Sequence, residues 1–412
     1  MSKPNFVRYT GVALLVEGGV QVKRATRLTH STDFNTERLL ELANAGVSEL
    51  VDSDTTSVTV ECSDYGAVDN LFKLIGRPEV VSGSVNPAVA FRDTEFENAI
   101  VDFVVPFSDD DITIDYSLYL GSCYMTRYSA NYSVDGTATE TYEYTCSYKR
   151  WYLNALKSIR VYKADYSSAT TAVVSGVNLN GQTGLFVTVG GSKVLDAKAS
   201  DTITLTNNGL NTDVTGSPAL TLSAGDRIRV LTTLTSTSFP ALTTTPDGLG
   251  GVRRGFVDAY LYNSAGSEEK TLRAQSVGID VSLDRTQLNE LGRKEAYFQS
   301  LNRPIDIRLN VEFIATDLET LAKMSELESD FDGTTLTALE LADFAASNIL
   351  RVKIYNSETT HSAATLVKSL HFNSVGISTQ GNEVTAGNNM NETIQFACDN
   401  LLVSGHGVSP FL

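Results

Sequence analysis

Arg24–Leu42 (RATRLTHSTDFNTERLLEL) aligns without a gap on Arg273–Leu291 (RAQSVGIDVSLDRTQLNEL), with identities at Arg24/Arg273, Ala25/Ala274, Leu39/Leu288, Glu41/Glu290 and Leu42/Leu291. Each copy runs on into an alternating stretch with the same dipeptide, Val60-Glu61 in SVTVEC and Val311-Glu312 in IRLNVEF. Further on, Ser117–Cys146 aligns on Ser369–Cys398, pairing Leu118/Leu370, Ser122/Ser374, Glu140/Glu392, Thr141/Thr393 and Cys146/Cys398. Collinear blocks at a steady offset of about 250 residues mark an internal duplication, and a period that long makes each unit a domain rather than a solenoid turn.

Three segments follow from this. Residues 1–155 and 250–412 are the two copies, each near the usual domain size of about 100–150 residues. Residues 156–249 have no partner and shift in composition to Thr, Ser, Val, Gly and Asn, as an inserted β-rich domain with its linkers would. The local pattern is mostly strand: SVTVEC, AIVDFVVPF, TETYEYTCSY, IDIRLNVEFI, LRVKIY and ETIQFAC alternate apolar with polar residues or run β-branched and aromatic. Val134-Asp135-Gly136 and Ala386-Gly387-Asn388 are turn signals inside the third block, so each version reads as a long antiparallel hairpin. Helices are expected at Thr36–Ala45, Tyr65–Ile75, Arg285–Phe298, Asp317–Leu327 and Leu336–Ala346. The fold class is therefore mainly β with short helices: two tandem sandwich- or barrel-like domains and a small β-domain between them.

Composition narrows the function. With 42% hydrophobic and 20% charged residues the chain reads as globular. No apolar run approaches the roughly 20 residues of a membrane span, and neither a signal nor an anchor is expected. The net charge of −17 disfavours a nucleic-acid grip, which needs clustered Lys and Arg, and instead repels polyanions. Four cysteines at irregular spacing without a CxxC pair argue against a disulfide scaffold or a zinc site, and Cys146 with Cys398 reads as a small core residue.

Catalytic patterns are missing. His30, His361, His371 and His406 have no metal-ligand spacing, there is no GxSxG elbow, and GLGGVRRG at Gly248–Gly255 lacks the strand, helix and GK[ST] of a phosphate loop. The acidic run Asp109–Asp111 reads as a solvated turn. The expectation is a non-enzyme with no cofactor and no metal. A duplicated chain without catalytic signals suits assembly, since fused equivalent domains occupy neighbouring positions of a ring.

In its order of elements, the chain resembles the tail tube proteins of long-tailed bacteriophages: a strand, a long loop with LELA or NELG, a strand ending in VE, a short helix, and a long hairpin. The likeness is to the tandem-duplicated type found in siphophages. It covers both copies but not the insert. It implies trimeric, pseudo-hexameric rings stacked into a hollow tube that conducts double-stranded DNA without gripping it. The implied partners are further copies of the chain and the tape measure, tail terminator and distal tail proteins, with no membrane partner. The implied location is the virion tail, assembled in the host cytoplasm. On this resemblance Thr29–Thr56 and Gly278–Pro304 are loops reaching neighbouring subunits or rings. Leu39, Leu42, Leu288 and Leu291 are then candidate inter-subunit contacts, and Glu61 and Glu312 candidate lumen or interface residues. The alternatives are a carbohydrate- or receptor-binding virion or surface protein, for which Tyr116, Tyr119, Tyr124, Tyr128 and Tyr132 form an aromatic group, and a glycosidase.

Overall fold

The computed structural model describes residues 11–16, 19–40, 47–64, 66, 68–75, 88–91, 100–162, 170–223, 226–234, 236–240, 251–262, 268–272, 274–289, 291, 298–314, 349–383 and 391–405. Among them the alternating stretches become antiparallel strands, and the molecule is mainly β. The first repeat contributes β1 (Gly11–Val12), β2 (Leu15–Val16), β3 (Val20–Gln21), β4 (Ala25–Leu40) and β5 (Val47–Ser63). Helix α1 (Asp69–Leu74) follows, then β6 (Ala88–Ala90), β7 (Ile100–Ser108), β8 (Tyr116–Ser133) and β9 (Thr139–Tyr152). The long hairpin β8–β9 serves two layers. Its turn-proximal half joins β5, which pairs β4, while the other half of β8 joins β7, which pairs β1 and β2. The chain changes layer at Ser122, whose φ of 50° is left-handed.

Alternation on β5 decides which face is core. Val58, Val60 and Cys62 are buried, whereas Thr59 and Glu61 between them are not. Each such valine contributes about 1.5–3 kcal/mol by leaving water, and a one-residue slip would expose all of them. The expected helix at Thr36–Ala45 is corrected here: Thr36–Leu40 continues β4 and pairs residues 47–51 of β5, the remainder lying outside the described residues. The supposed loop Thr29–Thr56 is accordingly two arms of a strand hairpin, apart from 41–46. Tertiary pairing overrides the helix propensity of Glu37, Arg38, Leu39 and Leu40. Among the described residues of Tyr65–Ile75, the helix covers Asp69–Leu74.

Cysteine chemistry also departs from expectation. Cys123 on β8 and Cys146 on β9 face each other with Cα atoms 3.9 Å apart and form a disulfide. The second repeat cannot copy it, because buried Val375 and Cys398 follow the matching bend.

The middle segment contributes β10 (Leu156–Tyr162), β11 (Ala172–Val174), β12 (Gly184–Val189), β13 (Ser192–Asp196), β14 (Thr202–Asn208), β15 (Asn211–Ser217) and β16 (Arg227–Thr233). A four-stranded sheet, β10-β16-β12-β13, stacks on a three-stranded one, β11-β15-β14, over a core containing Val174, Val187, Leu195, Val214 and Val230. This small sandwich docks on the outer face of the β7–β8 layer. There Phe186 packs edge-on to Tyr119 and Tyr148, under the Arg150 guanidinium. The β12–β13 turn comes so close that a Cβ on Gly191 (φ +94°) would lie 2.5 Å from the Tyr124 hydroxyl. Truncating Phe186 to alanine is expected to cost about 3–5 kcal/mol, read from the denaturant midpoint, because no neighbour is free to fill the void.

The second repeat contributes β17 (Val257–Tyr262), β18 (Glu268–Leu272), β19 (Ala274–Ser282), β20 (Arg285–Leu288), β21 (Phe298–Leu301), β22 (Asp306–Ile314), β23 (Ile349–Tyr355), β24 (Leu366–Asn373), β25 (Gly376–Glu383), β26 (Asn391–Cys398) and β27 (Asn400–Gly405). Its registers run parallel to those of the first. Val60 faces Tyr142 and Glu61 faces Thr141; Val311 faces Ile394 and Glu312 faces Thr393. Leu118 faces Trp151, and Leu370 faces Val403. Bulges recur at Met125/Arg127 and Ile377/Thr379, and at Ala25/Arg27 and Ala274/Ser276. Ser374, with φ 52°, bends the chain as Ser122 does. Of the expected helix Arg285–Phe298, the described ends are the strands β20 and β21, paired as a ribbon, so the supposed loop Gly278–Pro304 also contains strands. The helices expected at Asp317–Leu327 and Leu336–Ala346 lie outside the described residues.

The repeats are joined twice by backbone ladders. β19 pairs β8, so one sheet crosses from the first repeat into the second, and β6 of the first repeat pairs β27 at the edge of the second repeat's outer sheet. Within the described residues no helix is long and apolar enough to cross a membrane.

Candidate functional site

Three features stand out from this framework: one broad polar face and two buried clusters of charge. The face belongs to the strand series β4-β5-β9-β8-β19-β22-β26-β25. Core positions on one side force the alternate residues to the other. Those residues are Thr29, Ser31, Thr59, Thr141, Ser129, Asn131, Ser276, Ser282, Asn310 and Thr393, with Arg27, Arg127 and Arg308 among Asp33, Glu61, Glu143, Asp280, Asp306 and Glu312. Acids outnumber arginines on it. The arginines are held by acids of the same face: Arg27 lies 3.3 Å from Glu61 and Arg308 lies 2.8 Å from Asp306. At the seam between repeats Arg127 makes a bidentate contact to Asp280, at 2.7 and 2.8 Å, and stands 3.5 Å from Glu143. Exposed pairs of this kind add about 1 kcal/mol or less to stability, but a planar fork fixes alignment across the seam.

Glu61 and Glu312 both lie on this face, in equivalent registers, and Glu312 accepts a hydrogen bond from Ser276 at 3.2 Å. Leu39 is on β4, and its side chain, like Leu42, lies outside the described residues. Leu288 is half-buried on the β20–β21 ribbon, whereas Leu291 is fully exposed at 102%. Of the tyrosine group, Tyr119, Tyr124, Tyr128 and Tyr132 are buried and only Tyr116 is exposed. Exposed Trp151 borders a cleft of about 390 Å³ between β9 and the middle segment, together with Arg150, Tyr152 and Asp196. Among the described residues no group of His, Cys, Asp and Glu is placed to hold a metal ion.

No family model matches the chain, and no curated protein does. Among solved structures, a chain of the anti-feeding prophage baseplate, a six-fold symmetrised cryo-EM structure, is similar over 37% of this chain and 95% of that chain, at 11% identity and a TM-score of 0.26. A likeness this slight carries no argument about family or function.

The first buried cluster joins the repeats from inside. Lys368 on β24 is completely buried and reaches back to the first repeat, where its Nζ lies 2.9 Å from Asp64 Oδ2 and also contacts Glu140 Oε1. Both acids are at most 2% exposed. Tyr132 donates to Asp64 Oδ2 at 2.8 Å and the Gly66 N–H donates to the other oxygen at 2.7 Å. Tyr128 and Tyr142 donate to Glu140 at 3.0 and 2.7 Å. Burial pushes the Glu140 carboxyl up, Lys368 opposes that shift and Asp64 adds to it. Burial also works against the charge on Lys368, but the two acids outweigh it and hold its pKa above the ordinary value. Nothing in the sequence marks these residues: Glu140 appears only as a repeated glutamate, and Lys368 sits at the position equivalent to exposed Tyr116.

A second buried cluster ties the middle segment down. Asp102 accepts from Tyr119 (3.0 Å), Ser158 (2.8 Å) and the Ser122 N–H (2.8 Å), and faces the Arg229 guanidinium at 3.8 Å. Arg150 and Asp196 pair bidentately at its rim, where the Arg150 hydrogen bonds hold the Asp196 carboxyl below the usual carboxylate range.

Proposed function

We propose that this chain is a structural subunit of a phage tail, assembling as trimeric rings of six repeats that stack into a hollow tube for DNA. The observation that carries the reading is the seam between repeats. Inside one chain, β8 of the first repeat pairs β19 of the second. The equivalent of β8's second half is β25, and the equivalent of β19 is β4. Among the described residues β25 pairs only β26, and β4 pairs only β5, so each keeps one edge open. Open edges are templates for pairing. β25 of one copy and β4 of the next repeat the internal seam, and with two repeats per chain three such contacts close a sixfold ring.

The face carried by these strands then lines the bore. It is Ser/Thr-rich and acidic, so it repels the phosphate backbone and offers no cluster of cations to trap it. The middle segment docks on the opposite layer and belongs outside the tube. The partners are other copies of this chain and the proteins at the tube ends, and the site of action is the virion.

The register of the closing contact follows from the seam. Ser129 faces Asp280 within the chain. Their equivalents are Gly381 and Ser31, since Gly381 faces Thr393 as Ser129 faces Thr141, and Ser31 faces Ser57 as Asp280 faces Arg308. Cysteines at positions 31 and 381 of one chain are expected to join neighbours under oxidation, since paired Cα atoms in an antiparallel ladder lie about 4.5–5.5 Å apart, within disulfide range. The product on a non-reducing gel is a covalent trimer, and neither single substitution makes it. Rings without the crosslink would overturn this register but leave the tube reading standing. A chain that forms no rings at all would sink both.

A further inference from the structure

Lys368, Asp64 and Glu140 have more than an ion pair's worth of organisation. An amine and two carboxyl groups meet where water is excluded, each carboxyl in a different hydrogen-bonded setting. We propose that Lys368 and Asp64 condense to an intramolecular isopeptide bond, with Glu140 as the proton relay, so that the two repeats become covalently locked.

The chemistry needs no reagent beyond the three side chains. At net zero charge the cluster holds an ammonium, one carboxylate and one carboxylic acid. Moving one proton from the ammonium to the carboxylate leaves a free amine and two carboxylic acids, without changing the total charge. The two acids hold Lys368 charged at rest, so the free amine is reached only transiently, by that proton transfer within the 2.9 Å contact. The Lys368 Nζ lone pair then attacks Cγ of Asp64. Oδ1 becomes the oxyanion, and the Gly66 N–H, 2.7 Å away, is aimed at it. Oδ2 is the leaving oxygen: it lies 2.9 Å from Nζ and accepts from the Tyr132 hydroxyl. Glu140 takes a proton from the nitrogen and returns one to the leaving oxygen. One C–N bond forms, one C–O bond breaks, one water departs, and Glu140 ends as it began.

The two acids are not interchangeable. Glu140 has a tyrosine hydroxyl on each oxygen and, among the described residues, no backbone donor, which holds it in place as a relay; Asp64 has the backbone donor that an acyl group requires. Contact between the amine and the acid, fixed by burial on every side, removes the entropic barrier that keeps amines and carboxylates apart in water. The product is neutral. Its new N–H faces Glu140, and its carbonyl keeps the Gly66 donor.

The test is the intact mass of the purified, cooperatively folding chain, measured denatured and after reduction of Cys123–Cys146. The expected mass is that of the sequence less one water, and proteolysis should yield one branched peptide linking the Lys368 and Asp64 segments. Lys368→Arg and Glu140→Gln should each restore the full mass. Masses are read on the denatured chain, so a variant that folds poorly still reports, and the branched peptide from the unsubstituted protein stands by itself. A full-mass wild-type chain, a branch at any other pair, or loss of water that persists in Lys368→Arg would overturn the proposal.

Discussion

Replacing Lys368 with alanine is expected to lower the stability of the chain by about 3–5 kcal/mol, because it leaves buried carboxyl groups without their cation. Asp64 and Glu140 are shielded from water, and the tyrosine hydroxyls and the Gly66 N–H around them supply hydrogen bonds but no charge. The loss should depend on pH in a defined direction. Glu140 has a folded-state pKa raised by burial, so its protonation favours the fold at low pH and that contribution fades as pH rises through the folded value. Removing Lys368 takes away the opposing cation and raises that value further. The deficit of the variant relative to the parent should therefore be smaller near about pH 5 than near about pH 8, read from denaturant midpoints. These values hold for the chain in which Lys368 is still an ammonium facing both acids; where the isopeptide bond has formed, the substitution removes the covalent link instead of a cation. A deficit below about 1 kcal/mol would mean that water reaches the acids once the lysine is gone.

Changing Leu291 to aspartate is expected to abolish polymerisation while leaving the fold intact. Leu291 is fully exposed and lies between the two strands of the β20–β21 ribbon, which pairs with no other strand among the described residues. Its removal from the isolated chain should shift stability by no more than about 0.5 kcal/mol, as for other surface positions. Lone exposed leucines are common, so exposure does not single it out. The recurrence of the same residue as Leu42, in a segment that the tail-tube resemblance implies reaches neighbouring subunits or rings, does. Negative-stain images of the variant should show folded subunits or single rings without tubes. Tubes of normal length would remove Leu291 from the ring-to-ring contact.

Strand character and the long hairpins were legible in the sequence because their cause is local. A β-strand with one buried face must alternate, and stretches such as Ser57–Cys62 and Ile307–Val311 carry that alternation wherever they sit. The matched identities in the two copies had the same local visibility, and the registers at Glu61–Thr141 and Glu312–Thr393 run side by side as those identities do. The segments Thr36–Leu40 and Arg285–Leu288 misled because four or five residues carry too little periodicity to separate helix from strand; pairing with residues distant along the chain settled them. The partner of a cysteine is equally invisible, since a sequence separation of 23 between Cys123 and Cys146 says nothing of two strands meeting at that point.

The sequence by itself determined which residues alternate, and hence the strand class, and the acidic balance of the whole chain. Only the tertiary structure decided that one sheet crosses from the first repeat to the second, that the acids and arginines of Arg27, Glu61, Arg127 and Asp280 share a single face, and that Lys368 meets Asp64 across 304 positions. The physical reason is range. Periodicity and turn chemistry act over a few residues and leave their mark in the order of the chain, whereas a buried charge is tolerated only by partners that folding brings from elsewhere, and their positions have no local signature.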